Sequence, residues 1–374
     1  VPTTELAEAQ RSLIAARRER LEHVCRMRSV HAVLITNPAN VHYLTGFRGQ
    51  DALLVTGRKL NLLLTDSRFI DDVGRECPDL EAYVRRPGEP RRKALVKVIR
   101  KARLKKLGFE SESLVVSEWE ALRSALPEVK WVGLAGDVER LRAVKDRHEL
   151  TCIRHAVRIA EQAFGQLRQS WSSTESEKSV ADRLEGLIRR AGGTRAAFST
   201  IVASGERSAV PHAIASPVVR CNRRFVLIDW GAHYSFYHSD LTRVLAINKI
   251  PAKLAKVYEV VAKAQRKAIE AIRPGVAASK IDAVARGVII RAGLERWLRH
   301  SVGHGLGLRV HEAPALRPNS ADTLEAGMVV TIEPGVYIRD WGGIRIEDDV
   351  LVTQDGFEVL STLTRSLEEL IVTG

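Results

Sequence analysis

Apolar positions along this chain follow two periods. Short runs bounded by turn residues, "AVLITN" (32–37), "DALLVT" (51–56) and "LNLLLTD" (60–66), predict strands. Helical spacing predicts helices over 5–28 and 91–105, and "KKLGFE" (105–110) reads as a further strand. That alternation predicts an α/β layer domain over residues 1–136. From residue 137 the pattern changes. Leu150, Ile153, Val157, Ala160 and Phe164 form a helical stripe with Asp146 placed as its N-cap. Helices follow near 174–191, 252–272 and 278–293, between strand-like runs at 196–204, 224–230, 241–247, 327–338 and 344–353. Strands with helices on one side make the second domain, residues 137–374, α+β.

The length of 374 residues exceeds what one hydrophobic core usually serves, which agrees with two domains. Cys25, Cys77, Cys152 and Cys221 are scattered and form no C-x-x-C pair. They read as buried free thiols in a reducing compartment. The N-terminal stretch mixes charges into its apolar residues, unlike a secretory signal, and no apolar run approaches the ~18 residues of a membrane span. A cytoplasmic protein without a membrane partner is expected.

The net charge of +13 raises the question of an anionic partner. Much of the excess lies in residues 85–106, where eleven basic residues accompany one acid, Glu89. Leu95, Val98, Ile99 and Ala102 recur there at helical spacing, so the segment reads as a core-packed helix with a solvated basic face. Nucleic-acid binding is not expected, because no recognition motif accompanies the basic residues.

The segment "VGHGLGLRVHEAP" (302–314) holds His304 and His311 among alternate glycines. It lacks the G-x-G-x-x-G spacing of a dinucleotide loop, and no histidine follows at the spacing of a zincin helix. Carboxylates on apolar strands are more informative. Asp229 closes one apolar run and Asp240 opens another, so a hairpin would bring them together. Glu333 lies within a third run and Glu347 within a fourth. A carboxylate on a buried strand is costly unless a cation or hydrogen bonds compensate it. Four carboxylates with one imidazole suit Mn(II), Fe(II), Co(II) or Zn(II) and metal-assisted hydrolysis.

The quoted pieces resemble the pita-bread metallopeptidases: aminopeptidase P, prolidase, methionine aminopeptidase and the metal-free creatinase. The resemblance rests on "DWGA" (229–232), "SDLTR" (239–243), "HSVGHGLGLRVHE" (300–312), "TIEPGVY" (331–337) and "GIRIEDDVLV" (343–352), with "VASGERSAVPHA" (202–213) and "LRAVKDRHELTCIRHA" (141–156). The first domain resembles the N-terminal domain of creatinase, aminopeptidase P and prolidase through "NPANVHYLTGF" (37–47) and "TDSRF" (65–69). Methionine aminopeptidase lacks that domain, and creatinase lacks the ligand set.

By resemblance the fold is a pita-bread catalytic domain behind an α/β creatinase-type domain, and the site holds two divalent ions, manganese first, with cobalt or zinc as alternatives. Asp229 would chelate one ion, His304 and Glu333 the other, and Asp240 and Glu347 would bridge. The resemblance makes His212, His311 and Glu333 catalytic, His300 a pocket residue, and Arg345 a balance to the carboxylate charge. His233 and His238 read as strand or turn residues. "PHAIAS" departs from relatives, where a proline often follows the alanine, and "HYSFYH" is unusually aromatic. The implied activity is an Xaa-Pro aminopeptidase acting on proline-containing peptides as a homodimer, with an Xaa-Pro dipeptidase as the alternative. An inactive binding module is a further alternative.

Overall fold

The computed structural model describes residues 4–58, 60–219 and 224–373; Cys221 lies outside them. Two compact units divide the chain, Val1–Arg142 and Ala143–Gly374.

The first unit is built on β1 (Ala32–Ile35), β2 (Ala52–Gly57), β3 (Leu60–Asp66), β4 (Glu81–Arg85), β5 (Lys106–Glu110) and β6 (Lys130–Leu134). They form one sheet in the order β4-β3-β2-β1-β5-β6. Its helices are α1 (Thr4–Met27), α2 (Pro38–Thr45), α3 (Ile70–Glu76), α4 (Arg91–Lys101), α5 (Val116–Ala125) and α6 (Asp137–Ala143), the last running to the division. The expected strands all form. β4 and β6 were not anticipated, because their exposed and half-buried positions carry weak apolar signals. In α4 the stripe behaves as its spacing predicts: Leu95, Val98 and Ile99 are buried against sheet residues such as Leu34, Val55 and Leu64. The outer face is solvated, and several of its charges pair with acids: Lys97 with Glu89, Arg100 with Glu128 and Lys101 with Glu81. Such exposed pairs contribute little to stability.

The second unit begins with α7 (Arg147–Gln169) and α8 (Glu177–Arg190). Asp146 caps α7 as expected, and Glu149 completes a reciprocal capping box. β7 (Arg195–Ala196), β8 (Ile201–Ser204), β9 (Phe225–Trp230), β10 (Ala232–Tyr234), β11 (Tyr237–His238) and β12 (Leu241–Ile247) follow. Next come α9 (Ala252–Glu270), α10 (Ala278–Arg291), β13 (Gly303–Gly305) and β14 (Glu312–Leu316). The unit closes with β15 (Val329–Ile332), β16 (Gly335–Ile338), β17 (Gly342–Arg345), β18 (Asp348–Val352), β19 (Phe357–Val359) and β20 (Ile371–Val372). One sheet runs β20-β12-β9-β8 and another β14-β13-β15-β18-β19.

Helices α7 and α8 cover one face of the β9–β12 sheet, as expected, and the other face turns toward the strands of the second sheet. Val226, Ile228, Trp230, Leu241 and Leu245 pack with α7 and α8, where Trp230 stacks on Phe164 at 4.3 Å. The alternate positions, Phe225, Leu227, Val244 and Ala246, belong to a second core with Val330, Ile332, Ile344 and Val350 of the later strands and apolar residues of α9 and α10. Both strands are apolar at successive positions because both faces are buried. The runs at 327–338 and 344–353 were also expected to be single strands. The first breaks at Glu333–Pro334, since proline has no N–H for the ladder. Glu347 separates β17 from β18 and makes only an isolated bridge to Thr242. No helix among the described residues is long and apolar enough to cross a membrane.

The two faces of α4 respond differently to substitution. Leu95→Ala costs about 2–5 kcal/mol, whereas Arg92→Gln or Lys93→Gln changes stability by less than ~0.5 kcal/mol. Urea unfolding reads both, and equal losses would contradict the assignment of faces.

Candidate metal centre

Two strand ladders deliver the carboxylates. β9 and β12 run antiparallel, with Asp229 opposite Thr242 and Trp230 opposite Leu241. Alternation then puts Asp229, Asp240 and Thr242 on the face shared by Leu227 and Val244. The link between the strands is longer than a simple hairpin turn, since β10 and β11 make a small hairpin of their own inside it. In the other sheet Ile332 pairs with Asp348, so Glu333 and Glu347 stand one step beyond the end of the β15–β18 ladder. Glu347 is tied back to the first sheet: its N–H donates to the Thr242 carbonyl at 3.2 Å, and the Thr242 hydroxyl donates to Glu347 Oε2 at 2.6 Å.

His304 sits on β13, between β14 and β15. The glycines beside it permit close backbone approach. A Cβ at Gly303 would lie 1.9 Å from the Thr331 carbonyl oxygen, and one at Gly305 would lie 2.0 Å from that of Ala313. The alternating glycines therefore serve strand packing, not phosphate. His304 Nδ1 lies 3.1 Å from the Gly305 carbonyl, which assigns that nitrogen a proton and leaves Nε2 facing inward toward the carboxylates. That Nε2 is 3.3 Å from Glu333 Oε1 and 3.8 Å from Asp240 Oδ2. Asp240, His304 and Glu347 each present a donor atom, all within 4.8 Å of one another.

A cavity of about 950 Å³ gathers the expected residues: His212, Asp229, Asp240, His300, His304, His311, Glu333, Arg345 and Glu347 all line it. His311 meets His304 edge-on at 4.2 Å between ring centroids. His233 and His238 are not on the cavity wall; His238 Nδ1 lies 3.0 Å from the Gly307 carbonyl instead.

Arg345 is buried and joins three groups. It donates to Asp229 Oδ2 at 2.5 Å, the Thr242 hydroxyl at 3.1 Å and the Tyr337 hydroxyl at 2.6 Å. Tyr337 in turn is 2.6 Å from His300 Nε2, while His300 Nδ1 is 2.7 Å from the Ser301 carbonyl. The carbonyl assigns the His300 proton to Nδ1, so Tyr337 donates to Nε2. Burial pushes the Tyr337 hydroxyl up to about 12, against the pull of Arg345, so it stays protonated. Behind the site, Arg243 donates to the carbonyls of Glu347 (2.7 Å) and Thr242 (2.9 Å) and to Asp348 Oδ1 (2.7 Å). Asp349 Oδ2 accepts from the Asp240 N–H at 3.0 Å. Sequence reasoning missed Thr242, Arg243, Tyr337, Asp348 and Asp349 as contributors. All five lie inside the quoted motifs, and the buried charge run "EDD" was the available signal.

The electrostatics call for a cation. Burial, then the charges of Glu347 and Asp229, pushes the Asp240 carboxyl well above its ordinary range. Burial, then Glu333 and Asp229, does the same to Glu347. Burial also raises Asp229, although Arg345 opposes it. Burial acts on Glu333 too, but hydrogen bonding from His304 and the positive groups around it bring it down to about 2. Asp229 Oδ1 is buried with no hydrogen-bond partner among the described residues. An orphaned carboxylate oxygen, an inward imidazole nitrogen and repelling carboxylates fit one or more divalent ions held by oxygen and nitrogen.

Fold and site thus fit a metallohydrolase. Metallopeptidase family M24 matches residues 151–354, and the creatinase/prolidase N-terminal domain matches residues 17–144. The chain belongs to metallopeptidase family M24 and is a metallo-exopeptidase with a creatinase-type N-terminal domain. An Xaa-Pro dipeptidase of Pyrococcus horikoshii is 35% identical, the match covering 91% of this chain and 95% of that protein. A solved Xaa-Pro dipeptidase from Bacillus anthracis has a TM-score of 0.91 at 34% identity, covering 96% of this chain and 100% of its own. An X-Pro aminopeptidase from Thermotoga maritima has a TM-score of 0.87 at 35% identity, with 96% and 100% covered.

Raised carboxyls make stability depend on pH in a definite direction. Asp240 and Glu347 titrate above their unfolded values, so their contribution is complete at low pH and is lost as pH rises through the raised values. Bound Mn(II) stabilises the ionised forms. It should raise Tm more at pH 8 than at pH 5, the stabilisation free energy reaching about 4 kcal/mol at ~1,000-fold excess over Kd. Asp240→Asn should stabilise the metal-free protein and abolish most of the Mn(II) shift. Equal shifts at both pH values would contradict the cation argument.

Proposed function

We propose that this chain is an Xaa-Pro dipeptidase that uses two divalent ions, manganese in preference, held by Asp229, Asp240, His304, Glu333 and Glu347. The supporting observation is the convergence of these five groups with His212, His300 and His311 on one cavity, in a chain with Xaa-Pro dipeptidases among its relatives. When bound, the ions supply Lewis-acid polarisation of the scissile carbonyl and lower the pKa of water into the neutral range.

The remaining chemistry belongs to the side chains. Cleavage before proline releases a secondary amine, which must acquire a proton. Glu333 is placed to carry one, since its carboxylate lies at the cavity wall. His311 and His212 donate to the oxygen that gains charge as the carbonyl carbon becomes tetrahedral. Burial, then His304, lowers the His311 pKa, so at neutral pH it is a neutral hydrogen-bond donor. His300 accepts from Tyr337 through Nε2, which keeps that nitrogen from donating to substrate. The exposed Arg317 on the same wall offers a counter-charge to the free carboxylate of a dipeptide.

The relatives move the reading from the aminopeptidase expected first to the dipeptidase alternative. The aminopeptidase keeps two observations in its favour: an X-Pro aminopeptidase is among the similar structures, and the cavity of about 950 Å³ lies near the top of the roughly 300–1,000 Å³ range of small-ligand sites. The binding-module alternative loses ground, because every expected donor lines the cavity. A homodimer in a reducing cytoplasm completes the proposal; Cys25, Cys77 and Cys152 are free and buried, in keeping with that setting.

With Mn(II) present, Ala-Pro should be cleaved with a kcat/KM at least about ten-fold above that for Ala-Pro-Ala or Ala-Ala. Faster cleavage of Ala-Pro-Ala would select the aminopeptidase, and comparable rates on Ala-Pro and Ala-Ala would end the proline assignment. His304→Ala should lose both metal and turnover, whereas His311→Ala should lose turnover with metal retained. Equal metal loss in the two variants would reverse their roles.

A further inference from the structure

We propose that the buried Lys145–Glu312 ion pair is a strut that positions His311, and that it serves turnover more than stability. This inference rests on the proposed role of His311 in the reaction. Among the described residues no hydrogen bond orients the His311 ring, whose ring contact is with the edge of His304. Its placement therefore depends on the backbone of residues 306–311, which link β13 to β14 without regular structure.

That backbone closes around the Glu312 carboxylate. Glu312 Oε1 lies 2.9 Å from Lys145 Nζ, and the Arg309 N–H reaches Oε2 at 3.4 Å. A Cβ at Gly307 would lie 2.4 Å from Oε1 and 3.1 Å from Lys145 Cε, so the segment has no room for a side chain there. The other end of the strut is also fixed. Lys145 N–H donates to the Gly327 carbonyl at 2.9 Å, Nζ donates to the Ala143 carbonyl at 3.0 Å, and the next residue, Asp146, caps α7. The Lys145 side chain is fully buried, and the Glu312 side chain is 4% exposed.

A buried ion pair is a poor way to gain stability, because desolvation offsets the attraction and an apolar pair of similar volume often does as well or better. What charge provides here is geometry. Oppositely charged ends at 2.9 Å set the height of the segment next to His311 in a way two methyl groups would not.

The test separates the two roles. Glu312→Gln and Lys145→Met break the pair, and the double variant Lys145→Met/Glu312→Leu replaces it with apolar side chains that restore Tm. On Ala-Pro with Mn(II), kcat should fall about ten-fold or more in all three, with KM and metal content within about two-fold of the parent. In a His311→Ala background, Glu312→Gln should cost little more, as expected of residues that act through one another. A crystal structure of the metal-free double variant should show the His311 ring moved from its 4.2 Å contact with His304. A double variant with parental Tm, parental kcat and an unmoved ring would overturn the strut, as would an undiminished loss in the His311→Ala background. If the parent protein cleaves no Xaa-Pro peptide, the functional reading fails, while the ring position still decides the strut.

Discussion

Unbalanced negative charge governs this structure. Asp229, Asp240, Glu333 and Glu347 converge on the wall of one cavity, three of them buried, and Arg345 pairs with Asp229. Ionised carboxylates in such surroundings repel one another with little solvent to screen them. The protein meets this partly by raising the pKa of Asp240 and Glu347, which favours their neutral forms. In the proposed reading, divalent ions would replace that protonation with fixed positive charge and turn an electrostatic liability into a Lewis-acid site.

The architecture holds the carboxylates together despite their repulsion. Each pair extends from an antiparallel ladder, so backbone hydrogen bonding sets its separation. Thr242 and Arg243 then join the two sheets by binding the side chain and carbonyl of Glu347. Asp348 and Asp349 are buried as well but serve differently. Burial would raise Asp348, yet Arg243 and Arg365 hold it below its ordinary range as a structural anion. Asp349 is pushed well above its range by burial and braces the Asp240 backbone.

Much of this was legible in the sequence. Strands such as 241–247 and the α4 stripe follow from local periodicity, which needs no knowledge of partners. The four carboxylates were legible because a carboxylate inside an apolar run is an anomaly wherever it falls, whereas the role of His304 came only from the family resemblance. The strand breaks at Glu333 and Glu347 were hidden, since each lies in a stretch that resumes as apolar a few residues on; Pro334 and the charged run Glu347-Asp348-Asp349 were the available clues. The hydrogen-bond path from Arg345 through Tyr337 to His300 was hidden for another reason. It depends on register between β16 and β17, where Gly335 pairs with Arg345, and a single sequence does not encode that pairing locally. Lys145 and Glu312 are 167 positions apart and look like ordinary surface residues until the fold buries them.

The central claim is that the carboxylate cluster exists to bind divalent cations. Anomalous X-ray scattering from crystals grown with Mn(II), recorded above and below the manganese edge, tests it most directly. The account predicts two anomalous peaks per chain, both within bonding distance of Asp240 and Glu347, one also contacting Asp229 and the other His304 and Glu333. Crystals saturated with Mn(II) that show no peak in this cavity, from protein that hydrolyses peptide undiminished in chelator, would contradict it.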